Sequence, residues 1–236
     1  MERLDKIISA AANISRSDAR TFIKKGLVTV DGNTVRDIGG KFDTAMCSFT
    51  CGGRVVEYNK FVYIMMNKPK GVISASEGGS EPTVVDILPE NMKRKNLFPA
   101  GRLDKDTTGF VLITDDGAFA HRILSPKNHI PKTYIAYLDK PFDDAVIKGF
   151  EQGVKLKDDV CMPAKLEPVN SDNTVAKVEI KQGMYHQIKR MFARYSLTVV
   201  DLKRIKMGGL FLDEKLKEGE CRYITQKELL SVEKGK

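Results

Sequence analysis

The alternation of hydrophobic and polar positions divides the chain into a short N-terminal segment and a longer remainder. Apolar residues recur at helical spacing over 3–12, which predicts a first helix. A second helix is predicted over 18–25, because Ser15 or Ser17 can cap its start and Gly26 can end it. The stretch LVTVDGNTV then alternates around an Asp-Gly pair, which indicates a β-hairpin.

The remainder of the chain contains many short β-like runs, among them FVLITDD, KTYIAYLD, TVAKVEIK and LTVVDLKRIKMG. Helical patterns interrupt these runs over 117–124, 143–152 and 185–195. Because strands outnumber helices and do not alternate with them regularly, we expect an α+β fold with a mixed, mainly antiparallel sheet flanked by helices. The change in pattern near residue 60 predicts two domains, 1–59 and 60–236.

The composition places the chain among globular proteins. Of its 236 residues, 42% are hydrophobic and 30% are charged. An apolar run of about eighteen residues, as a membrane-spanning helix requires, is absent, and the first residues lack the apolar centre of a signal peptide. Membrane, secreted and fibrous classes are therefore excluded, and we expect a cytoplasmic protein.

The charge balance indicates a polyanionic partner. The formal net charge is +8 and the isoelectric point is about 9.2, values typical of nucleic-acid-binding proteins. On the second predicted helix Arg16, Arg20 and Lys24 are spaced four apart, with no acidic residue at the same spacing, and we call this set the basic stripe. A solvated charged face is the alternative interpretation. We expect RNA contacts from the stripe and from Arg3 and Lys25.

Cysteine and histidine usage argues against a metal or cofactor. The four cysteines and three histidines have no metal-ligand spacing, and neither a phosphate loop nor a GxGxxG pattern is present. We expect reduced cysteines, no metal and no small-molecule cofactor. With no heptad pattern in the chain, a monomer is the default expectation.

The run FPAGRLDKDTTGFVLITDDG, residues 98–117, is the most informative segment for chemistry. It predicts a loop between two strands, in which Gly101 and Gly109 free the backbone on either side. Asp104 has cationic neighbours on both sides, at Arg102 and Lys105, and such neighbours favour the ionised carboxylate. An ionised carboxylate can act as a nucleophile or a base, whereas the alternative is a polar turn with a hydrogen-bonded aspartate.

Within this run GRLDKDTTG resembles the active-site motif of pseudouridine synthases, G-R-L-D-x-x-[ST]-[ST]-G. Three further segments resemble other motifs of these enzymes: MNKPKGV at 66–72, SPKNHIPKTYIAYL at 125–138 and QGMYHQIKRMFA at 182–193. The N-terminal segment resembles the alpha-L RNA-binding domain named after a ribosomal small-subunit protein. Together they resemble the RsuA/RluB/RluE/RluF group of ribosomal RNA pseudouridine synthases, which implies an alpha-L domain followed by a catalytic pseudouridine synthase domain.

The resemblance implies roles for individual residues. Asp104 corresponds to the essential aspartate, Tyr134 to a tyrosine that packs against the target base, and Lys189 to a basic residue that pairs with the aspartate. Many relatives have Arg where this chain has Lys189, and Arg190 is the alternative if the register differs by one. Without the resemblance, Tyr134 on an alternating strand is equally an ordinary core tyrosine.

The remaining residues implied by the resemblance concern the placement of RNA. Arg102 is expected to place the backbone or the flipped nucleotide, and Lys68 and Arg190 are expected to contact RNA. For His186 we expect a positioning role rather than acid–base chemistry.

The resemblance implies an isomerase that converts a uridine of ribosomal RNA to pseudouridine, without a cofactor. The motifs most resemble the small-subunit enzymes, which implies uridine 516 of 16S rRNA and an immature small subunit as the partner. The base would flip out, and Asp104 would attack the sugar carbon or remove a sugar proton to give a glycal. The alternatives are the same chemistry on a 23S rRNA uridine and a non-catalytic rRNA-binding or assembly factor.

Overall fold

The structure is a computed structural model that describes residues 1–44, 46–128, 130–157 and 159–233. The chain separates into two compact units, Met1–Phe61 and Val62–Lys236. This division lies two residues after the predicted boundary between 59 and 60. His129, within the segment 125–138, lies outside the described residues.

The N-terminal unit contains two short helices and small antiparallel sheets. Its elements are β1 Glu2–Arg3, α1 Leu4–Ala11, α2 Arg16–Lys24, β2 Val28–Val30, β3 Asn33–Thr34, β4 Lys41–Phe42, β5 Phe49–Cys51 and β6 Arg54–Val56. Leu4, Ile7 and Ile8 lie on one face of α1 and are fully buried, as their helical spacing predicts. Of the two predicted caps, Ser15 starts α2, since its hydroxyl accepts a hydrogen bond from the Asp18 amide at 3.1 Å.

The second unit is built on one large sheet. Its elements are β7 Tyr63–Lys68, a 3-10 turn Glu90–Met92, β8 Phe98–Pro99, β9 Thr108–Thr114, α3 Gly117–Leu124, a 3-10 turn Pro126–Asn128, β10 Lys132–Leu138, α4 Asp144–Gln152, β11 Lys165–Pro168, β12 Val175–Ile180, α5 Gln187–Ala193, β13 Val199–Met207, β14 Leu210–Phe211, β15 Cys221–Tyr223 and α6 Gln226–Glu233.

Seven strands of this sheet follow the order β11-β12-β10-β13-β9-β7-β15, with β14 paired to β13 and β8 paired to β9. Among the strands of the described chain, β9 and β13 form the one parallel pair, and the other pairs are antiparallel. The predicted α+β class with a mixed, mainly antiparallel sheet is therefore confirmed. The parallel pair brings the start of β9 against the middle of β13, which determines the surroundings of the preceding loop.

Helices cover both faces of this sheet, and the central strand β9 is buried throughout. Val111 and Ile113 belong to an apolar cluster with residues of α4 and α5. Phe110 and Leu112 point the other way, into a cluster with residues of α3 and α6. Burial of each such side chain contributes about 1.5–3 kcal/mol, so β9 is a rigid base for the loop before it.

Three helices differ from the predicted ones by more than one residue. The helix α2 begins at Arg16 rather than at residue 18 and ends at Lys24. The helix α6 was not predicted, because its sequence follows a strand-like run and has a weak apolar pattern. The helix α5 begins at Gln187 rather than at residue 185, since His186 adopts a left-handed conformation with φ 46°. Within the described ranges, the helices are all too short or too polar to cross a membrane.

Candidate active site

Asp104 lies in the loop between β8 and β9, and its side chain is about one-quarter exposed. The loop turns at this residue, where the Thr107 amide donates to the Asp104 carbonyl at 3.1 Å. Gly109, the second residue of β9, has φ 98°, and a Cβ atom there would lie 2.2 Å from the carbonyl oxygen of Arg204. Glycine is required at this position both for its conformation and for the close approach of β13.

One side of the loop is held by the buried ammonium group of Lys68. The Nζ atom donates to the backbone carbonyls of Pro69 at 2.9 Å, Lys105 at 3.2 Å and Thr107 at 2.8 Å. The prediction that Lys68 contacts RNA is wrong, because the side chain is fully buried and its three donors are engaged within the protein. Burial lowers the pKa of Lys68 to about 8, partly offset by the charges of nearby aspartates.

The other side of the loop is held by Arg204 on β13, which is 2% exposed. Its Nε atom donates to the Phe110 carbonyl at 2.6 Å, and its terminal nitrogens donate to the Gly101 carbonyl at 3.2 Å and the Arg102 carbonyl at 3.5 Å. We call Lys68 and Arg204 the loop clamp. Sequence reasoning missed Arg204, although an arginine at an inward position of an apolar strand is itself a signal.

Two cationic or potentially cationic groups face the Asp104 carboxylate. The His186 Nε2 atom lies 3.5 Å from Oδ1, and the Lys189 Nζ atom lies 3.7 Å from Oδ2. Lys189 makes shorter contacts with Asp106, at 2.7 Å to each carboxylate oxygen. Hydrogen bonding from the Lys189 ammonium group holds the pKa of Asp106 below its usual range. Asp106, which sequence reasoning set aside, is thus the nearest partner of Lys189.

The helix α5 positions these groups. Ile188, Met191 and Phe192 are buried on one face of α5, so the adjacent Lys189 extends toward the Asp104 loop. Arg190, the alternative partner of the aspartate if the register differs by one, is half-buried. Burial raises the pKa of the nearby Cys161 thiol, and the charge of Arg190 partly offsets this.

The side chains of Tyr134 and Arg102 differ in their exposure to solvent. Tyr134 on β10 is 8% exposed, pairs with Arg204 in the register of β10 and β13, and shares an apolar cluster with Leu103. The side chain of Arg102 is exposed to solvent, while its backbone carbonyl is bound by the loop clamp.

In the N-terminal unit three predicted RNA contacts converge on one buried carboxylate. Arg3 Nε lies 3.1 Å from Asp5 Oδ1, Arg16 Nη2 lies 3.5 Å from Oδ1, and Arg20 Nε lies 3.1 Å from Oδ2. Burial raises the pKa of Asp5, but the three arginines outweigh it and the pKa is lowered overall. No acidic residue lies at the same spacing on α2, but Asp5 of α1 pairs with two members of the basic stripe, Arg16 and Arg20. Three guanidinium groups around one carboxylate still leave two formal positive charges in excess.

Lys24 and Lys25 are exposed at the end of α2. Among the described residues, no group of three or more His, Cys, Asp and Glu side chains is placed to hold a metal ion.

A partly exposed aspartate beside cationic side chains fits an enzyme that acts on a polyanion such as RNA. A family model described as RNA pseudouridylate synthase matches residues 62–194, and one described as S4 domain matches residues 2–42. The chain belongs to the RNA pseudouridine synthase family and carries an N-terminal S4 domain.

Individual relatives resemble the chain over almost its full length. The chain is 43% identical over 230 residues to an RNA pseudouridine synthase of Bacillus subtilis (strain 168), YtzG, which is described as uncharacterized; the match covers 96% of each protein. It is 40% identical over 232 residues to ribosomal small subunit pseudouridine synthase A of Escherichia coli (strain K12), covering 98% of this chain and 99% of that protein. A crystal structure of a pseudouridylate synthase superposes with a TM-score of 0.68 at 35% identity, covering 98% of this chain and all of the other.

Proposed function

We propose that this protein converts uridine 516 of 16S ribosomal RNA to pseudouridine, with Asp104 as the catalytic residue. The observation that carries the proposal is the position of Asp104, on a clamped loop and opposite the cationic side chain of Lys189. The choice of the small subunit is supported by the name of the Escherichia coli relative, which is 40% identical over almost the whole chain.

The reaction is an isomerisation, and its atoms balance without a co-reactant. The bond between uracil N1 and ribose C1′ breaks, the base turns within the site, and C5 bonds to C1′. The hydrogen on C5 leaves as a proton, and a proton is returned to N1. Asp104 can form a transient bond to C1′ as a nucleophile, or it can remove the C2′ proton to give a glycal. Each route needs one carboxylate oxygen within reach of the ribose, and the partial exposure of Asp104 provides this access.

The neighbouring groups support this chemistry through charge and stacking. The positive charge of Lys189 acts on the carboxylate and on the oxygens of an approaching phosphate. The uridine has to leave its stack to reach Asp104, and the ring of Tyr134 is proposed to replace part of the lost contact. The loop clamp keeps the carboxylate in place during these steps, since it binds backbone groups rather than the substrate.

Mapping of pseudouridine by carbodiimide and primer extension tests this function. Ribosomal RNA is compared from cells that contain the protein, lack it, or carry Asp104→Asn, with Asp144→Asn on α4 as a matched control. We expect one stop near uridine 516 that disappears without the protein, returns with Asp144→Asn and does not return with Asp104→Asn. A lost stop in 23S rRNA would move the substrate to the large subunit. An unchanged pattern of stops would contradict the enzymatic function on ribosomal RNA and favour an assembly factor.

We further propose that the protein acts as a monomer in the cytoplasm on an immature small subunit. A uridine that must be flipped out is more accessible before the RNA is fully packed. Turnover on naked 16S rRNA, on partly assembled particles and on mature subunits tests this step. Highest activity on mature subunits would contradict it.

A further inference from the structure

The aromatic rings of Tyr185 and His186 form a stacked pair beside the proposed catalytic carboxylate. Tyr185 is 76% exposed, more than any other tyrosine in the part of the chain that the structure describes. Its ring stacks on the imidazole of His186, with ring centroids 3.8 Å apart and planes inclined by 17°. The His186 Nε2 atom in turn lies 3.5 Å from Oδ1 of Asp104. A single imidazole therefore separates the phenol ring from the carboxylate.

The backbone holds this pair of rings in place. His186 has φ 46° and ψ 35°, a left-handed conformation that is unfavourable for a side chain with a Cβ atom. The buried Gln187 closes the turn that contains the two rings. Its side-chain Oε1 atom accepts a hydrogen bond from the Met184 backbone amide at 3.2 Å, and its backbone amide donates to the Met184 carbonyl at 3.3 Å. These hydrogen bonds fix the turn that contains Tyr185 and His186, and with it the positions of the two rings.

The chemistry of this stacked pair indicates which kind of ligand it binds. A planar, exposed aromatic ring next to basic side chains is the arrangement by which proteins bind unpaired bases of RNA. Lys189 and Arg190 follow within one helical turn on α5 and can contact the phosphates of the same strand. The stacked pair is continuous with the Asp104 site through His186, so a strand that brings a uridine to Asp104 would pass beside Tyr185.

We propose that Tyr185, supported from behind by His186, is a stacking site for an unpaired base that neighbours the target uridine. Removal of the uridine from its stack exposes the faces of the adjacent bases. Stacking on Tyr185 offsets this loss and favours sites whose neighbouring base is free to unpair. The inference rests on the proposed function for the identity of the strand.

The first test measures RNA affinity by fluorescence anisotropy with a synthetic 16S rRNA fragment that spans uridine 516. We expect Tyr185→Ala to weaken binding by about 5- to 100-fold, and Tyr185→Phe to stay within about twofold of the native protein. The dependence on salt should not change, because stacking releases no counterions. Phe211→Ala, at a residue that is 59% exposed on β14, is the matched control and should leave affinity unchanged. Equal affinities of Tyr185→Ala and the native protein would overturn the proposal.

The second test locates the base. Each nucleotide next to the uridine is replaced in turn by an abasic one, and binding is measured with the native protein and with Tyr185→Ala. At one position we expect the abasic RNA to lose affinity for the native protein but not for Tyr185→Ala. Independent effects at every position would overturn the proposal.

Pseudouridine formation is recorded in the same samples, so the two proposals fail separately. Product from the native protein without coupling at any position would remove the stacking site and keep the enzyme. Coupling without product would keep the stacking site and contradict the choice of substrate.

Discussion

Asp104 shares its nearest cation with a second carboxylate. The ammonium group of Lys189 is 2.7 Å from both oxygens of Asp106 but 3.7 Å from the nearer oxygen of Asp104. An arginine fork can span two carboxylates, whereas a lysine ammonium is a compact charge that approaches one more closely. The side chain of Asp106 is 69% exposed, so this competition takes place at the edge of the site.

Removal of the Asp106 charge should strengthen the dependence of Asp104 on Lys189. In Asp106→Asn the closest remaining carboxylate to the ammonium is that of Asp104, so Lys189→Met should cost more turnover in this background than in the native one. We expect the difference to be about two- to fivefold in kcat/KM. Rates of the four proteins in a double-mutant cycle measure it. Equal costs in both backgrounds would show that Asp106 does not compete with Asp104 for Lys189.

Turnover should fall as the pH rises through about 8. Burial lowers the pKa of Lys68 to about 8, and the neutral amine binds the three loop carbonyls less strongly than the ammonium. The unfolded chain keeps this proton up to a pKa near 10.5, so deprotonation of the folded protein raises the free energy of unfolding between these values. A falling rate with undiminished thermal stability therefore identifies the loop clamp rather than unfolding.

The control for this pH dependence is Lys132→Met. Burial, aided by the charge of Arg204, also lowers the pKa of Lys132 to about 8. We expect Lys132→Met to keep the decline in rate above pH 8. If Lys132→Met no longer shows the decline in rate above pH 8, the decline is due to Lys132 rather than to Lys68.

Among the secondary-structure elements, the contact between β9 and β13 has the greatest consequence for the site. It is parallel, and it pairs Gly109 with Arg204. The backbones approach so closely that Gly109 leaves no room for a Cβ atom, and the side chain of Arg204 then turns back to bind the carbonyls on either side of the loop. The geometry of the loop thus depends on a strand about ninety residues further along the chain.

Gly109→Ala should destabilise the second unit by about 3 kcal/mol or more. The added Cβ atom would lie 2.2 Å from the Arg204 carbonyl oxygen, in a backbone conformation that disfavours side chains. Thermal unfolding measures the effect. Gly117→Ala at the start of α3 is the control, because its Cβ atom would meet no atom within 4 Å, and we expect a change below about 1 kcal/mol. Equal stabilities of the two variants would contradict the argument.

At the scale of the whole molecule, the net charge of +8 provides a general attraction to RNA, and the S4 domain adds an organised basic surface. Asp5 neutralises part of that surface and at the same time fixes the orientation of its arginines. The two units therefore contribute differently: the second carries the proposed catalytic carboxylate, whereas the first carries arginines that are oriented by a buried aspartate.

Replacement of the basic stripe, Arg16, Arg20 and Lys24, by alanine should weaken RNA binding and its dependence on salt. Three phosphate contacts correspond to a decrease of about 2 in the slope of log K against log salt concentration. Binding titrations from low to high salt measure the slope. Replacement of Lys140, Lys148 and Lys157 removes the same charge from exposed positions of the second unit. If both triple variants behave alike, the stripe is a solvated face.

The amino-acid sequence by itself determined the local features of this protein. The spacing of apolar residues predicted α1, α2 and most strands, because the face that an amphipathic element buries depends on neighbouring positions. The resemblance of GRLDKDTTG to a known motif singled out the loop that carries Asp104, and the comparisons confirmed the family.

The tertiary structure alone decided which charges are buried and with what they pair. Lys68 reads as a surface cation, yet it binds carbonyls up to 39 residues away. Arg204 reaches a carbonyl 103 residues earlier, and Arg20 meets Asp5 on another helix. The partner of a charge depends on which distant segments the sheet brings together, and that pairing is not contained in any local pattern. For this reason the position of Asp104 was predictable, whereas the groups that hold its loop were not.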